Sequence, residues 1–488
     1  MRERPGSFID GEWVASTGDA MFPVVNPYTE EVYGAASIAT AADVDRAVES
    51  AHRALQGPWR DTSVDDRIEL VSMIRKLLNG RADELAETAS RSMGTPYEGY
   101  RNLCNSLELI DAYVEDARQV EWEYLRTDLS GDALVVRRPV GVVAGIVPWN
   151  VPIRSEIKKL IPALLAGCTI VLKPAPETPF GGEALAEICT EAGIPPGVVN
   201  VVLGDGSTGD LLVRHPLVSK VAFTGSSATG SAIWSAVASK FTRLQLELGG
   251  KSAAVVLDDV DLEAAAPFLG AGIFNFAGQQ CTATSRVLAP RARYDEVVAA
   301  MSAAAESHVL GDPFDASTTM GPLVARRQRD RVMGYIDLAR SEGARVATGG
   351  DRPDGQKHGW FVQPTVLADV ANSMRVAREE IFGPVVTVIP YTDENEAVAI
   401  ANDSEYGLGG AVYSADPERA LALARRVESG YISVNRYGIG PRTPFGGVKR
   451  SGIGRESGVE GYDSFLEYVA HPIPHELAET LATRLRYV

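Results

Sequence analysis

Short runs of β-branched apolar residues recur from residue 140 onward, and each ends in glycine, proline or a polar turn. Four of them are GVVAGIVPW, TIVLKP, GVVNVVLG and SKVAFTG. Between them lie stretches in which apolar residues recur every three or four positions, such as PIRSEIKKLIPALLAG and FGGEALAEICTEAG. Strands that alternate with helices at this spacing predict βαβ units and a parallel sheet with both faces buried.

The same alternation begins again at residue 252. The strand SAAVVL precedes the helix DLEAAAPFLGAGIFNFA, the strand RVLAP and two long helices that end near residue 341. Apolar runs then predict further strands, near 361–367, 385–390, 409–413 and 430–434. The pattern therefore predicts an α/β fold with two successive α/β units.

Helices are predicted over residues 41–120, before the first series of strands. Thr40 and Asp43 have the residue types of a helix start. Ser63 and Asp66 resemble a capping box, with aspartate in place of the usual glutamate or glutamine.

Length and charge limit the classes of partner. The chain has 488 residues, of which 45% are hydrophobic and 23% charged, and a prior of about 150 residues per domain predicts several domains. Its net charge of −17 repels nucleic acids and anionic membrane surfaces. No apolar run approaches the roughly 20 residues that span a bilayer. We therefore expect neither nucleic acid nor a membrane as a partner.

Cysteine and histidine usage indicates a reducing compartment and no metal. Cys104, Cys168, Cys189 and Cys281 are too few for a disulfide framework in a chain of this length. The first residues, MRERPGSFIDGEWV, lack the apolar segment of a secretory signal, so the cytoplasm is the expected location. The six histidines form no cluster with cysteine or carboxylate at metal-binding spacing.

Three glycine-rich segments have features of phosphate-binding loops. GDGSTG at 204–209 matches G-x-G-x-x-G, but no acidic residue follows about 20 residues on, which favours a simple strand-to-helix turn. GGKS at 249–252 lacks the first glycine of a P-loop, because Gln245 stands there. FTGSSATG at 223–230 ends an apolar strand and opens a helix, where free N–H groups favour an anion.

Four scattered motifs matter when they are taken together. Alone, a cysteine is more often a buried core residue, a glutamate a solvated charge, and an asparagine after tryptophan a turn residue. Their order and spacing nevertheless resemble the aldehyde dehydrogenase superfamily, and the similarity runs from FIDGEW (8–13) to FGGVKRSGIGRE (445–456). The motifs are PWN (148–150), LELGGKS (246–252), GQQC (278–281) and EEIFGP (379–384).

The resemblance implies three structural parts. They are a Rossmann-like cofactor domain, a second α/β catalytic domain and a small β oligomerisation element. By resemblance, residues 1–122 and 141–246 bind the dinucleotide, 247–448 form the catalytic domain, and 123–140 and 463–488 form the oligomerisation element.

The same resemblance implies catalytic roles for four residues. Cys281 would attack the aldehyde carbon and pass through a thiohemiacetal to a thioester. The side chain of Asn150 and the backbone N–H of Cys281 would hold the oxyanion. Glu247 would activate the water that hydrolyses the thioester, and its presence favours a free acid over acyl transfer to coenzyme A. Lys159 takes the place of a helix lysine linked to proton relay, with a solvated surface charge as an equal alternative.

NAD is the cofactor that the resemblance implies, and NADP remains open. Relatives that prefer NAD often place glutamate three residues after the strand lysine, where this chain has Pro176, followed by Glu177. Proline accepts no ribose hydrogen bond, and the missing carboxylate no longer repels a 2′-phosphate. The implied cofactor contacts are Trp149, Lys173, Pro176, Gly225, Ser226, Glu380 and Phe382.

Substrate and assembly are less specified. We hypothesise a roomy pocket for a medium-sized apolar aldehyde, aromatic or terpenoid, although the same residues could simply pack; they are Val151, Ser155, Lys158, Gln280, Thr282 and Tyr437. LVVRR at 134–138 predicts an isolated strand and YDSFLEYVAHP a late one, and both resemble an element that joins subunits, which predicts a homodimer or homotetramer.

Two other functions share part of the site. A cysteine esterase would use Cys281 and Asn150 without a cofactor unit. A catalytically silent relative would not need to keep Cys281, Glu247 and Asn150 together, which argues against it.

Overall fold

The computed structural model describes residues 2–4, 6–105 and 107–486. Its strands are, in chain order, β1 (Arg2–Arg4), β2 (Gly6–Ile9), β3 (Glu12–Ala15), β4 (Met21–Val25), β5 (Val32–Ser37), β6 (Glu123–Asp128), β7 (Gly131–Pro139), β8 (Val142–Ile146), β9 (Thr169–Lys173), β10 (Val199–Val201), β11 (Val218–Thr224), β12 (Arg243–Glu247), β13 (Ala253–Val256), β14 (Arg286–Pro290), β15 (Arg345–Thr348), β16 (Thr365–Ala368), β17 (Val385–Tyr391), β18 (Tyr406–Gly407), β19 (Gly410–Tyr413), β20 (Ser433–Val434), β21 (Val448–Lys449), β22 (Gly452–Ile453) and β23 (Leu466–Ile473).

The α-helices alternate with these strands over most of the chain. In chain order they are α1 (Ala41–Gln56), α2 (Val64–Gly80), α3 (Ala82–Met93), α4 (Tyr97–Asn105), α5 (Glu108–Gln119), α6 (Arg154–Leu165), α7 (Phe180–Glu191), α8 (Gly206–Arg214), α9 (Ser227–Val237), α10 (Leu262–Phe274), α11 (Tyr294–Glu306), α12 (Arg326–Ser341), α13 (Arg375–Arg378), α14 (Glu394–Asn402), α15 (Pro417–Ala424), α16 (Gly458–Asp463) and α17 (His475–Ala482).

The two predicted helix starts are present. The Thr40 side chain accepts from the Asp43 N–H, and the Asp43 carboxylate accepts from the Thr40 N–H. Ser63 and Asp66 form the same reciprocal pair at the start of α2. Each box satisfies backbone N–H groups that have no partner inside the helix.

The first large sheet has the order β22-β12-β11-β8-β9-β10-β2-β3, in which β8 to β12 are parallel. The chain moves from β8 outward through β9 and β10, then returns to the other side of β8 through β11 and β12. Strand order therefore reverses between β8 and β11, and a crevice opens at the carboxyl ends of those strands. This arrangement confirms the predicted Rossmann-like α/β architecture.

Apolar residues on the two faces of this sheet belong to different cores. Val143 packs in the core that includes α2 to α6, whereas its neighbours Val142 and Ala144 pack in the core beneath α1, α8 and α9. Alternation of this kind explains why the predicted strands read as continuous apolar runs.

The second large sheet has the order β15-β16-β17-β14-β13-β19-β20, parallel except for β15. Its core is formed by residues between Ala253 and Ala424. Residues 248–252 carry the chain directly from β12 into β13. The amino ends of β13 and β14 therefore lie at the carboxyl edge of the first sheet.

A third sheet contains both of the strands that the sequence predicted outside the two α/β units. It is antiparallel, with the order β23-β7-β6. The prediction of an isolated strand at 134–138 is wrong, because β7 runs from Gly131 to Pro139 and is the central strand. Its partner β6 has the polar sequence EYLRTD, which shows no apolar alternation. The late strand begins only at Leu466, since α16 occupies the preceding tyrosine and aspartate.

The remaining sheets are small. They are β1-β5-β4 and β18-β21, and β22 attaches the segment that follows β20 to the edge of β12. Of the helices described, none has both the length and the apolar character needed to cross a bilayer.

Candidate active site

Cys281 lies in the loop between α10 and β14, and the backbone of that loop is unusual. Phe276 and Ala277 have φ angles of 53° and 54°, in the left-handed region that non-glycine residues seldom adopt. At Gly278, with φ 69°, a side chain would collide with the carbonyl oxygen of Gly383. Cys281 is partly exposed, whereas the other three cysteines are buried. The loop thus presents one thiol to the cleft between the sheets.

Asn150 follows β8 and connects the first sheet to the cysteine loop. Its side chain is only 6% exposed, and its Nδ2 donates to the carbonyl oxygen of Gln279 at 2.8 Å. An amide nitrogen has two hydrogens to donate, so one remains for a ligand beside Cys281.

Glu247 is the last residue of β12 and is buried. Neither carboxylate oxygen has a hydrogen-bond partner among the described residues, and Gly446 lies against Oε1, where any side chain would crowd it. Burial raises the pKa of Glu247 well above its ordinary value, and the nearby charge of Glu456 raises it further. Lys159 and Lys158 oppose this shift.

Lys159 is fully buried and is hydrogen-bonded to Glu456. The alternative that Lys159 is a solvated charge is therefore wrong. Lys158 Nζ lies 3.1 Å from the other oxygen of Glu456. Burial alone would raise the pKa of Glu456, but Lys159 and Lys158 lower it below its ordinary value. Glu456 ends one of the motifs of the resemblance, yet nothing in the sequence paired it with a lysine 297 residues away.

Burial also changes the pKa of Cys281, the predicted nucleophile. It raises the pKa of the Cys281 thiol to about 12, Lys158 opposes the shift, and Glu380, Glu247 and Glu456 add to it. The thiol is consequently protonated at neutral pH, and a base must remove its proton before it can attack.

Two cavities of about 270 Å³ each meet at the cysteine. Pro148, Asn150, Thr224 and Cys281 line both of them. The first, called here the substrate cavity, is also lined by all six residues predicted for the pocket, namely Val151, Ser155, Lys158, Gln280, Thr282 and Tyr437. The second, called here the cofactor cavity, is lined by five of the predicted cofactor contacts, namely Trp149, Gly225, Ser226, Glu380 and Phe382.

The cofactor cavity lies at the switch point of the first sheet and has features that fit a dinucleotide. Ser226 caps the start of α9, where free N–H groups attract phosphate. The Trp149 and Phe382 rings meet edge to face with centroids 5.4 Å apart. Glu380 Oε1 accepts from the Gly250 N–H at 3.0 Å, while burial raises the pKa of this carboxyl to about 7. A carboxylate beside an aromatic pair and a helix start suits ribose, nicotinamide and pyrophosphate groups.

Lys173 is the last residue of β9 and Pro176 follows that strand, and neither lines the cofactor cavity. Lys173 Nζ donates to the Pro174 carbonyl at 2.9 Å. Burial lowers the pKa of Lys173 to about 8, against the opposing charges of Glu177 and Asp205. Glu177 is ion-paired with Arg327, a cation that sequence reasoning missed.

Helix α12 supplies two further cavity residues that no motif indicated. Arg331 Nη2 donates to the Glu380 carbonyl at 2.6 Å, and Gln328 Nε2 donates to the Phe382 carbonyl at 2.7 Å. Both also line the cofactor cavity. They hold the backbone of the segment that carries Glu380 and Phe382, although they are about 50 residues away in the chain.

Two of the glycine-rich segments, GDGSTG and GGKS, have structural roles. Asp205 of GDGSTG caps α8 by accepting from the Ser207 N–H, which agrees with the simple-turn interpretation. GGKS is the segment that crosses between the sheets. Among the residues described, no group of three histidine, cysteine or acidic side chains could hold a metal ion.

Comparison with known proteins identifies the family. The model of the aldehyde dehydrogenase family matches residues 13–470. The chain is 43% identical to a geranial dehydrogenase of Castellaniella defragrans, with 94% of this chain and 97% of that one covered. It is 41% identical to a 3-succinoylsemialdehyde-pyridine dehydrogenase of a Pseudomonas species, covering 96% and 98%. A crystal structure of Mycobacterium tuberculosis aldehyde dehydrogenase with NAD⁺ superposes with a TM-score of 0.94 at 42% identity, over 97% and 99% of the chains. The chain therefore belongs to the aldehyde dehydrogenase family.

Proposed function

We propose that this aldehyde dehydrogenase oxidises a medium-sized apolar aldehyde to its carboxylic acid with NAD, through a thioester on Cys281. The observation that carries the proposal is that the substrate and cofactor cavities meet at Cys281 and Asn150. Glu247 lines the cofactor cavity beside them. Nucleophile, oxyanion donor and base are thus within one junction, as a covalent oxidation requires.

The first step forms a bond between Cys281 Sγ and the aldehyde carbon. The thiol releases its proton to solvent, and the carbonyl oxygen becomes an oxyanion that accepts hydrogen bonds from the free N–H of Asn150 and the backbone N–H of Cys281. When it is bound, NAD supplies the acceptor for the hydride that leaves this carbon. Removal of the hydride converts the thiohemiacetal on Cys281 into a thioester.

The second step is hydrolysis. Glu247 takes a proton from water, the hydroxide bonds to the thioester carbon, and the bond to Sγ breaks to release the acid and a thiolate that is reprotonated. A base with a raised pKa is effective in this role, because its strength follows its pKa. Lys159 is proposed to act through Glu456 and Glu247, as a positioning residue.

NAD is proposed over NADP because of the charges near Lys173. Glu177 lies close enough to influence the pKa of that lysine, and its carboxylate would repel a 2′-phosphate. Arg327 is a cation of the kind that could favour NADP, but its ion pair with Glu177 offsets its charge. The residues proposed to hold the cofactor are Trp149, Lys173, Gly225, Ser226, Glu380 and Phe382, while Pro176 supplies packing only.

The substrate class rests on the cavity and on the relatives. Val151 and Ser155 are small side chains in the wall, and they leave room beyond the reacting carbon. Geranial and a pyridine-bearing semialdehyde are named for two relatives that are more than 40% identical. A panel from acetaldehyde to ten-carbon and aromatic aldehydes tests this size class, and the best turnover on acetaldehyde would contradict it.

Domain roles, assembly and location are also proposals. We assign dinucleotide binding to 1–122 and 141–246, catalysis to 247–448, and oligomerisation to 123–140 and 463–488. The edges of the β23-β7-β6 sheet support a homodimer or homotetramer, since open edges pair with other strands, and light scattering tests it. All four thiols are free, which supports the cytoplasm.

Stopped-flow measurement of NADH with NAD and an aldehyde tests the mechanism. Cys281→Ala should give no NADH. Glu247→Gln should retain NADH formation in the first turnover and then turn over slowly, because Glu247 is the base for hydrolysis and not for the formation of the thioester. Full steady-state activity of either variant would refute the assignment. A cofactor-free ester assay that far outpaced aldehyde oxidation would favour the esterase instead.

A further inference from the structure

We propose that Arg154 is a specificity-determining residue that binds a carboxylate at the end of the substrate distant from the aldehyde. Arg154 begins α6, and its half-buried side chain lines the substrate cavity near Leu103 and Leu109. Cys281 lines both cavities, whereas Arg154 lines the substrate cavity and not the cofactor cavity. The inference rests on the proposed function. It narrows the substrate class to aldehydes whose apolar carbon chain ends in a carboxylate.

Among the described residues, the guanidinium of Arg154 makes no hydrogen bond and no ion pair. Lys158 occupies the same helix face one turn later and differs in this respect, since it is paired with Glu456. A guanidinium has five N–H donors and stays charged, so a ligand in the cavity can supply acceptors that no described residue supplies.

The groups around Arg154 leave its charge uncompensated. Burial lowers the pKa of Arg154 from its ordinary value, and Tyr100, Glu108 and Cys104 oppose that shift. Burial raises the pKa of Tyr100 well above its ordinary value and that of Cys104 to about 12, so both are neutral at physiological pH. Tyr113, which also faces Arg154, is neutral for the same reason. Glu108 is exposed to solvent and forms no ion pair with it.

The acidic residue that lines the same cavity does not cancel this positive charge. Glu456 lines the cavity, but Lys158 and Lys159 already hold it. A carboxylate on the substrate could therefore bind the guanidinium through two parallel hydrogen bonds. Leu103, Leu109 and Phe276 also line the cavity and provide an apolar wall for the carbon chain.

Paired substrates test the inference. Hexanal and adipate semialdehyde have six carbons each and differ in the terminal carboxylate. We expect the wild type to prefer adipate semialdehyde by about 10- to 100-fold in kcat/KM, the range that a charge-assisted pair supplies. Arg154→Met, of similar length, should lose this preference through KM for the semialdehyde while leaving hexanal unchanged. Arg154→Lys should keep part of it.

Binding of adipate, the dicarboxylate product, gives a readout without turnover. Calorimetry should show adipate binding to the wild type that weakens about 10-fold or more in Arg154→Met, while hexanamide, which has no carboxylate, binds both alike. Equal preference for the two aldehydes in the wild type, or equal loss on both in Arg154→Met, would overturn the inference and leave the proposed function intact. Failure of the wild type to oxidise either aldehyde would overturn both.

Discussion

Replacing Glu247 with glutamine should change how the stability of the protein depends on pH. The folded protein holds Glu247 in a buried site where its pKa is raised well above 4.5. The unfolded chain exposes the same carboxyl to water, where it ionises near that ordinary value. Between the two pKa values the folded state therefore carries a proton that the unfolded state has released, and glutamine carries none in either state.

This proton determines the sign and the size of the change in stability with pH. Because the folded state binds more protons, the free energy of unfolding contributed by Glu247 is greatest below pH 4.5 and decreases as pH rises towards its folded pKa. The decrease is at most about 1.4 kcal/mol per pH unit. Relative to the wild type, Glu247→Gln should thus gain up to about 3 kcal/mol between pH 5 and pH 7. Glu456 does not contribute in this range, since its pKa is lowered.

Urea unfolding at matched protein concentration, from about pH 5 to about pH 9, measures this difference in the free energy of unfolding between the variant and the wild type. Glu380→Gln is the matched control. Burial raises the pKa of Glu380 to about 7, so its stability difference should level off there. Infrared spectroscopy should show a protonated carboxyl that disappears in Glu247→Gln. Parallel stability profiles of wild type and Glu247→Gln would refute the reasoning.

Three further outcomes are expected. Asn150→Ala should slow NADH formation in the first turnover by roughly 100- to 1000-fold, the usual loss for one oxyanion donor, as measured by stopped flow. Lys158→Met should slow alkylation of Cys281 by iodoacetamide, because Lys158 is the cation that lowers the pKa of this thiol; an unchanged rate would contradict that influence. Glu177→Gln should raise affinity for 2′,5′-ADP relative to 5′-AMP in calorimetry, since the carboxylate that opposes a 2′-phosphate is gone and Arg327 is released.

Local patterns were sufficient for the parts of the fold whose sequence carries them. The strands β8, β9 and β11 are apolar on both faces, and the caps at Thr40 and Ser63 use residues three positions apart. The antiparallel sheet was harder, because β6 is polar and gains its strand conformation from pairing with β7. Pairing between distant segments leaves no periodic trace in either one.

The candidate site shows the same division. Cys281, Asn150 and Glu247 lie in motifs that could be recognised, and the structure brings them to one junction. The partner of Lys159 could not be recognised, because Glu456 approaches it only through the fold. Arg331 likewise could not be recognised, because it donates to the Glu380 carbonyl from a helix whose sequence looks like that of an ordinary exposed basic helix. Residues that hold a functional segment, rather than contact a ligand, had no motif to identify them.

The buried charges beside Glu247 are explained better by catalysis than by stability. Replacing a buried ion pair with apolar residues is often neutral or stabilising, so Lys158, Lys159 and Glu456 are costly as a structural device. Burial makes Glu247 a stronger base by raising its pKa, but the same burial disfavours the ionised form that must accept a proton. Two lysines against one carboxylate leave a positive excess, which ionised Glu247 would neutralise. The cluster thus lets a strong base lose its proton without leaving a net charge buried in the protein.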